Sequence, residues 1–130
     1  MWSLVFLAGG ALALAFGLRE VALLVAVAGG LFHTLVLKPA GACVRGRFSG
    51  CEVVLASPYA APLGVPLQYL GALWFVVAPL AHWFGFGLFW AVVGLVGIAA
   101  LVGLEVKLRA FCLYCTIAHG LGLVVILALV

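Results

Sequence analysis

The chain has 130 residues, of which 69% are hydrophobic and 7% charged, and its formal net charge is +3. A water-soluble domain is about half apolar and about a quarter charged, so this composition excludes a soluble globular domain and requires lipid around the chain. The length allows one small membrane domain over residues 1–130, and its six basic residues indicate membrane topology rather than nucleic-acid binding.

Five apolar runs follow one another, at residues 2–18, 21–37, 66–84, 86–106 and 111–130. A membrane-spanning helix needs about 20 residues, so each of the last three runs predicts a span. The first two are short and are separated by Arg19 and Glu20, which favours a tight helical hairpin turning at residues 17–20. The alternative is one tilted helix ending near Leu37, with residues 1–16 partly in the interface. A signal peptide is disfavoured, because the first run lacks a basic n-region and a small-residue cleavage site.

The only long polar connection lies between the second and third runs, at residues 38–62, and it contains Cys43, Cys51 and Ser57. A loop of this length in a compact bundle is usually functional or disordered. Its last part, "EVVLASPYAAPLG", mixes apolar and small residues, which predicts a short helix over the mouth of the bundle. The chain therefore divides into an N-terminal apolar segment (1–20) and a core (21–130) that carries a loop or lid at 39–65.

The last run begins with a second cysteine pair, "CLYC", which contains Cys112 and Cys115. The third run leaves the loop's side of the membrane and the fourth returns to it, so the fifth starts on that side. All four cysteines are therefore predicted at one membrane face. Two cysteine pairs that meet at one face are typical of a thiol–disulfide relay.

The start of the last run also has the chemistry that such a relay needs. Cys112 is predicted near a helix N-terminus, where the partial positive charge favours the nucleophilic thiolate, and Lys107 and Arg109 add positive charge. His119 is four residues after Cys115 and seven after Cys112, which places the three on one helical face. This arrangement predicts a pocket for a small apolar carbonyl compound, with the imidazole donating a hydrogen bond to the carbonyl oxygen.

Taken together, the loop and the last run resemble the vitamin K epoxide reductase family. The stretches that carry the resemblance are "CVRGRFSGCEVVLASPYA", "GVPLQYLG" and "CLYC". The family pattern is a cysteine, a short spacer, a second cysteine, a serine six residues on, a Gly-Pro entry to the next helix, and a late CxxC. The resemblance covers about residues 21–130, and its positions in this chain are Cys43, Cys51, Ser57, Gly64 with Pro66, and Cys112 with Cys115.

The resemblance implies an all-α integral membrane protein, with a four-helix transmembrane bundle around a quinone and the cysteine loop as its lid. One extra N-terminal transmembrane segment is compatible with it. It also implies that Cys43 and Cys51 take electrons from a partner or substrate protein. Cys51 then exchanges with Cys112, and Cys115 lies against a quinone of the menaquinone, ubiquinone or vitamin K type. Prokaryotic members oxidise protein dithiols and reduce quinone, whereas vertebrate members reduce vitamin K epoxide and quinone.

This chain departs from the family pattern at three points. His119 stands where vertebrate members have a tyrosine, and their quinone-facing asparagine has no counterpart except Gln68, which lies near that position. Many bacterial members carry a fused thioredoxin-like domain, and the lack of one here predicts a thioredoxin-like redox protein in trans. Ser57 either supports the quinone site or caps the lid helix.

Simpler interpretations remain open for several of these residues. Cys43 with Cys51 can be a static disulfide, Cys112 with Cys115 can be ordinary buried cysteines, and His119 can satisfy a neighbouring carbonyl. His33 and His82 are interpreted as structural. A different function, carriage of a soft metal ion such as Cu(I) or Hg(II), also uses cysteine pairs, but the serine and Gly-Pro pattern is not required for it.

The basic residues predict which side the cysteines face. Short cytoplasmic loops carry excess Lys and Arg, and five of the six basic residues lie on the cysteine side: Lys38, Arg45, Arg47, Lys107 and Arg109. A cytoplasmic cysteine face is therefore expected, with a periplasmic or extracellular face as the alternative. The chain has no Asn, no Asp and one Gln, which points to a thermophilic source, although a GC-rich genome gives a similar bias. Intracellular proteins of hyperthermophiles are often rich in disulfides, which fits that orientation.

Overall fold

The computed structural model describes residues 2–36, 67–108 and 113–130, which form five α-helices and one π-helical segment. The elements in chain order are α1 (Trp2–Ala15), α2 (Arg19–Leu31), the π segment (Phe32–Val36), α3 (Leu67–Trp83), α4 (Gly87–Leu108) and α5 (Leu113–Leu129). The all-helical class predicted from the sequence is confirmed. The lid helix predicted within the loop lies outside the described residues.

The first two helices form the predicted hairpin, but the turn lies at residues 16–18 rather than 17–20, because Arg19 and Glu20 already belong to α2. Gly17 has a φ of +75°, a left-handed conformation that glycine adopts without steric cost. Its N–H donates to the carbonyl of Leu14 (3.0 Å), and the Leu18 N–H donates to the carbonyl of Ala13 (2.8 Å). These two bonds are the Schellman arrangement, which satisfies the last carbonyls of α1. The alternative of one tilted helix ending near Leu37 is wrong.

The connection from α3 to α4 repeats the same cap. Gly85 has a φ of +85°, its N–H donates to the His82 carbonyl (3.3 Å), and the Phe86 N–H donates to the Ala81 carbonyl (3.0 Å). The two hairpins therefore turn by one mechanism. Across this connection the indole N–H of Trp74 donates to the Trp90 carbonyl (3.3 Å), and that of Trp90 donates to the Trp74 carbonyl (3.0 Å).

The core of the bundle lies around α2 and α5. Helix α5 contacts each of the other four helices, and α2 contacts α1, α3 and α5. Leu23 on α2 and Leu121 and Val125 on α5 are at most 2% exposed. Small residues line these contacts, and they let the helix backbones approach closely, as they do in membrane bundles.

The outer faces of the helices are apolar. On α4, for example, Leu88, Phe89, Val96 and Val106 are 64–72% exposed. Surface of this kind is suited to lipid rather than to water. Within the described ranges, one helix is both long and apolar enough to cross a membrane, at Gly87–Lys107, and the apolar helices Trp2–Ala15, Tyr69–Trp83 and Cys115–Leu129 are shorter.

Candidate active site

Five helix ends lie at the end of the bundle opposite the two glycine turns. The hairpin brings the start of α1 beside the end of α2, where Ser3 Oγ and His33 Nδ1 are hydrogen-bonded at 2.8 Å. A Cβ atom on Gly71, near the start of α3, would lie 3.8 Å from Thr34 Cγ2. The end of α4 at Leu108 and the start of α5 at Leu113 lie at this same end. The described residues on either side of the cysteine loop and of the CxxC motif therefore lie at one end of the bundle, while Cys43, Cys51 and Cys112 lie outside the described residues.

Cys115 lies in the first turn of α5 and is partly buried. His119 lies one turn further along the same helix, which is about 6 Å deeper at a rise of about 1.5 Å per residue. The residue is 9% exposed. The structure therefore places a thiol and an imidazole on one helical face, in the order predicted from their spacing.

Glu105 is the residue that α4 adds to this site. Its Oε1 lies 4.0 Å from Nδ1 of His119, and both side chains are 11% exposed. The distance is within the range of an ion pair but longer than a direct hydrogen bond, which is about 2.7–3.2 Å. A carboxyl group thus lies beside the imidazole near the mouth of the bundle, one turn below Cys115.

Nε2 of His119 is buried and has no hydrogen-bond partner among the described residues. A buried polar nitrogen is normally satisfied, so one without a partner needs an explanation. The carbonyl oxygen of a quinone can accept a hydrogen bond from this nitrogen, and a quinol hydroxyl can donate to it. The residues present therefore fit a quinone: His119 offers a buried nitrogen that can bond to a carbonyl oxygen, and Cys115 offers a thiol one helical turn away.

Of the other predicted site residues, some lie in described helices and the rest lie outside the described residues. Cys43, Cys51, Ser57 and Cys112 lie outside the described residues, so their roles stay predictions. Gln68 is the second residue of α3, at the same end of the bundle as Cys115. Lys107 is exposed in the last turn of α4, and Arg109 lies in the part of the chain that the structure does not describe.

Sequence analysis missed Glu105 as a site residue. Its charge near the end of an apolar run suggested a residue beside the short connection, whereas α4 continues to Leu108 and keeps Glu105 inside the helix. Its partner, His119, lies on the next helix, so no local spacing joins the two. The sequence did offer one signal. Burying an ionisable residue in an apolar membrane segment is energetically costly, so a glutamate there is rare and usually functional.

The other end of the bundle has a second contact between a histidine and a glutamate. His82 Nε2 lies 3.4 Å from Glu20 Oε1, and the glutamate side chain is 69% exposed. The sequence predicts structural roles for His82 and His33, and in the structure they contact Glu20 and Ser3 respectively. The Glu20–His82 contact lies at the glycine turns, away from Cys115, whereas the Ser3–His33 contact lies at the cysteine end of the bundle.

Comparison with known protein families gives a match over nearly the whole chain. The family model of the vitamin K epoxide reductase family matches residues 4–130. The match therefore takes in nearly all of α1, which lies outside the stretch covered by the sequence motifs. No curated protein and no solved structure is similar enough to this chain to count as a match.

Proposed function

Because this chain belongs to the vitamin K epoxide reductase family, we propose that it oxidises protein dithiols to disulfides and passes the electrons to a quinone. Members of this family are membrane-integral oxidoreductases linked to quinones. The observation that carries the proposal is the placement of Cys115 one helical turn from His119, whose buried Nε2 has no hydrogen-bond partner in the described part of the chain. The chain also matches the family over residues 4–130.

The proposed electron path runs through both cysteine pairs. Cys43 and Cys51 accept two electrons from a protein dithiol, whose disulfide forms as theirs is reduced. Cys51 then attacks the disulfide of Cys112 and Cys115 and leaves that pair reduced. A bound quinone supplies the acceptor for two electrons and two protons, after which Cys112 and Cys115 are joined again.

Each side chain near the acceptor has a distinct proposed role. Cys115 lies closest to the acceptor and gives up the electrons. His119 holds the carbonyl oxygen through Nε2, which fixes the ring of the acceptor beside the thiol. Gln68 and Ser57 are candidates for further polar contacts. The electron donor is proposed to be a thioredoxin-like protein, which the family implies.

Anaerobic quinone reduction by purified, dithiol-reduced protein in detergent tests this function. Wild-type protein is expected to reduce a short-chain quinone, and Cys115→Ala is expected to abolish turnover. Cys43→Ala is expected to lose activity with a protein dithiol and to keep it with a small dithiol, because the loop pair serves only the protein donor. Absence of quinone reduction together with tight binding of Cu(I) or Hg(II) would overturn the proposal in favour of a metal carrier.

A further inference from the structure

We propose that Glu105 and His119 act as one carboxylate–imidazole pair that delivers a proton to the quinone as the thiols are oxidised. This inference rests on the proposed function and adds a residue to it. Glu105 is the positioning residue, because it acts through the imidazole, and His119 is the group that contacts the acceptor.

The placement of Glu105 is the first reason. The described residues include two glutamates, and they lie in opposite surroundings: the Glu20 side chain is 69% exposed at the far turn, and that of Glu105 is 11% exposed in the bundle. Burying a carboxyl group in a membrane segment is costly, so such residues face the bundle interior and mark proton or substrate paths. Glu105 faces the imidazole of His119 at 4.0 Å.

The two nitrogens of the imidazole are the second reason. Nδ1 faces Glu105, whereas Nε2 is buried with no hydrogen-bond partner in the described part of the chain. A neutral imidazole has one N–H, and a protonated imidazole has two. When the pair holds its extra proton, Nδ1–H faces the carboxylate and Nε2–H is available to the acceptor. Glu105 balances the charge of the ring at that moment.

The protons and electrons balance over one turnover. The Sγ–Sγ bond of Cys112 and Cys115 forms as the two thiols lose two electrons and two protons. Both electrons go to the acceptor, and His119 Nε2 gives one proton to one of its oxygens. One thiol proton restores the Glu105–His119 pair. The other thiol proton leaves to water at the mouth, and the second acceptor oxygen takes its proton from that water.

The test compares Glu105→Gln with Glu20→Gln, its matched control at the far end of the bundle. Glutamine keeps the shape of glutamate but cannot carry the proton or the charge. We expect Glu105→Gln to lower kcat for a short-chain quinone by about 100-fold, the lower end of general acid catalysis, with little change in KM. Glu105→Asp should restore part of kcat, and Glu20→Gln should match the wild type.

Two further readouts separate proton delivery from damage to the thiols or the fold. Ferricyanide takes electrons without protons, so it should oxidise the thiols of Glu105→Gln at the wild-type rate. In quinone-free protein, the infrared carboxyl band that Glu105→Gln removes should shift in His119→Leu and stay in place in His82→Leu.

Each outcome decides between the two claims. If Glu105→Gln reduces quinone at the wild-type rate, or loses ferricyanide reactivity as well, the proton pair is overturned and the proposed function stands. The proton pair is also overturned if the Glu105 carboxyl band keeps its wild-type position in His119→Leu. If the wild-type thiols react with ferricyanide but never with quinone, the proposed function fails and the pair fails with it.

Discussion

The contribution of a side-chain contact to the free energy of unfolding depends on how deeply the contact is buried. The contact between Ser3 Oγ and His33 Nδ1 joins two groups that are at most 1% exposed, whereas Glu20 in the His82 contact is largely exposed. Removing one partner of a buried hydrogen bond costs about 1–3 kcal/mol, because the other polar atom keeps its desolvation cost. Exposed pairs contribute about 0–1 kcal/mol.

This contrast gives a stability prediction at the residue scale. We expect Ser3→Ala to lower the free energy of unfolding by about 1–3 kcal/mol, and Glu20→Gln to change it by less than about 1 kcal/mol. Unfolding by SDS in mixed micelles measures both variants against the wild type. Equal effects of the two substitutions would contradict the weight given to the buried contact.

The active-site residues differ in how far the sequence predicts them. Cys115 and His119 share one helix, so their spacing alone places them on one face, and the structure agrees. Glu105 reaches the same site from α4, and its contact with His119 depends on how α4 packs against α5. Local periodicity carries no information about such packing, so a charged residue near a run's end was interpreted as a boundary.

At the scale of helices, the order and turns of the bundle follow from simple signals. Long apolar runs predict the helices, and Gly17 and Gly85 mark turns that require a positive φ. The π segment at Phe32–Val36 was not predicted, because "FHTLV" has no local feature that separates it from α-helix. It ends α2 where Thr34 Oγ1 donates to the Gly30 carbonyl at 2.8 Å.

Close helix packing gives the prediction at this scale. A Cβ atom on Gly30 would lie 2.6 Å from the ring of Phe75, where α2 meets α3, so Gly30→Ala must displace an aromatic side chain that is 3% exposed. Overpacking of this kind costs about 1–3 kcal/mol. Gly97→Ala on α4 is the matched control, because a Cβ atom there meets nothing within 4 Å.

Thermal unfolding in detergent should therefore order the two alanine variants. We expect Gly30→Ala to unfold at a lower temperature than the wild type. Gly97→Ala should unfold at the wild-type temperature or slightly above it, because alanine in a helix is more stable than glycine by about 0.5–1 kcal/mol. Equal stability of the two variants would show that α2 and α3 do not pack as closely as described.

For the whole molecule, the remaining question is which side of the membrane holds the cysteines. Exposed Lys107 lies at the cysteine end, and exposed Arg19 lies at the far turn. Over the full sequence the excess of basic residues is on the cysteine side, so that side is predicted to be cytoplasmic.

Reporter cysteines in a cysteine-free background test this orientation. Two exposed apolar residues suit the test, because replacing them changes no charge: Phe16 at the far turn is 77% exposed, and Val106 at the cysteine end is 72% exposed. An impermeant maleimide added to intact cells should label Phe16→Cys, and should label Val106→Cys only after lysis. Labelling of Val106→Cys in intact cells would place the relay outside the cytoplasm, where it would serve exported proteins.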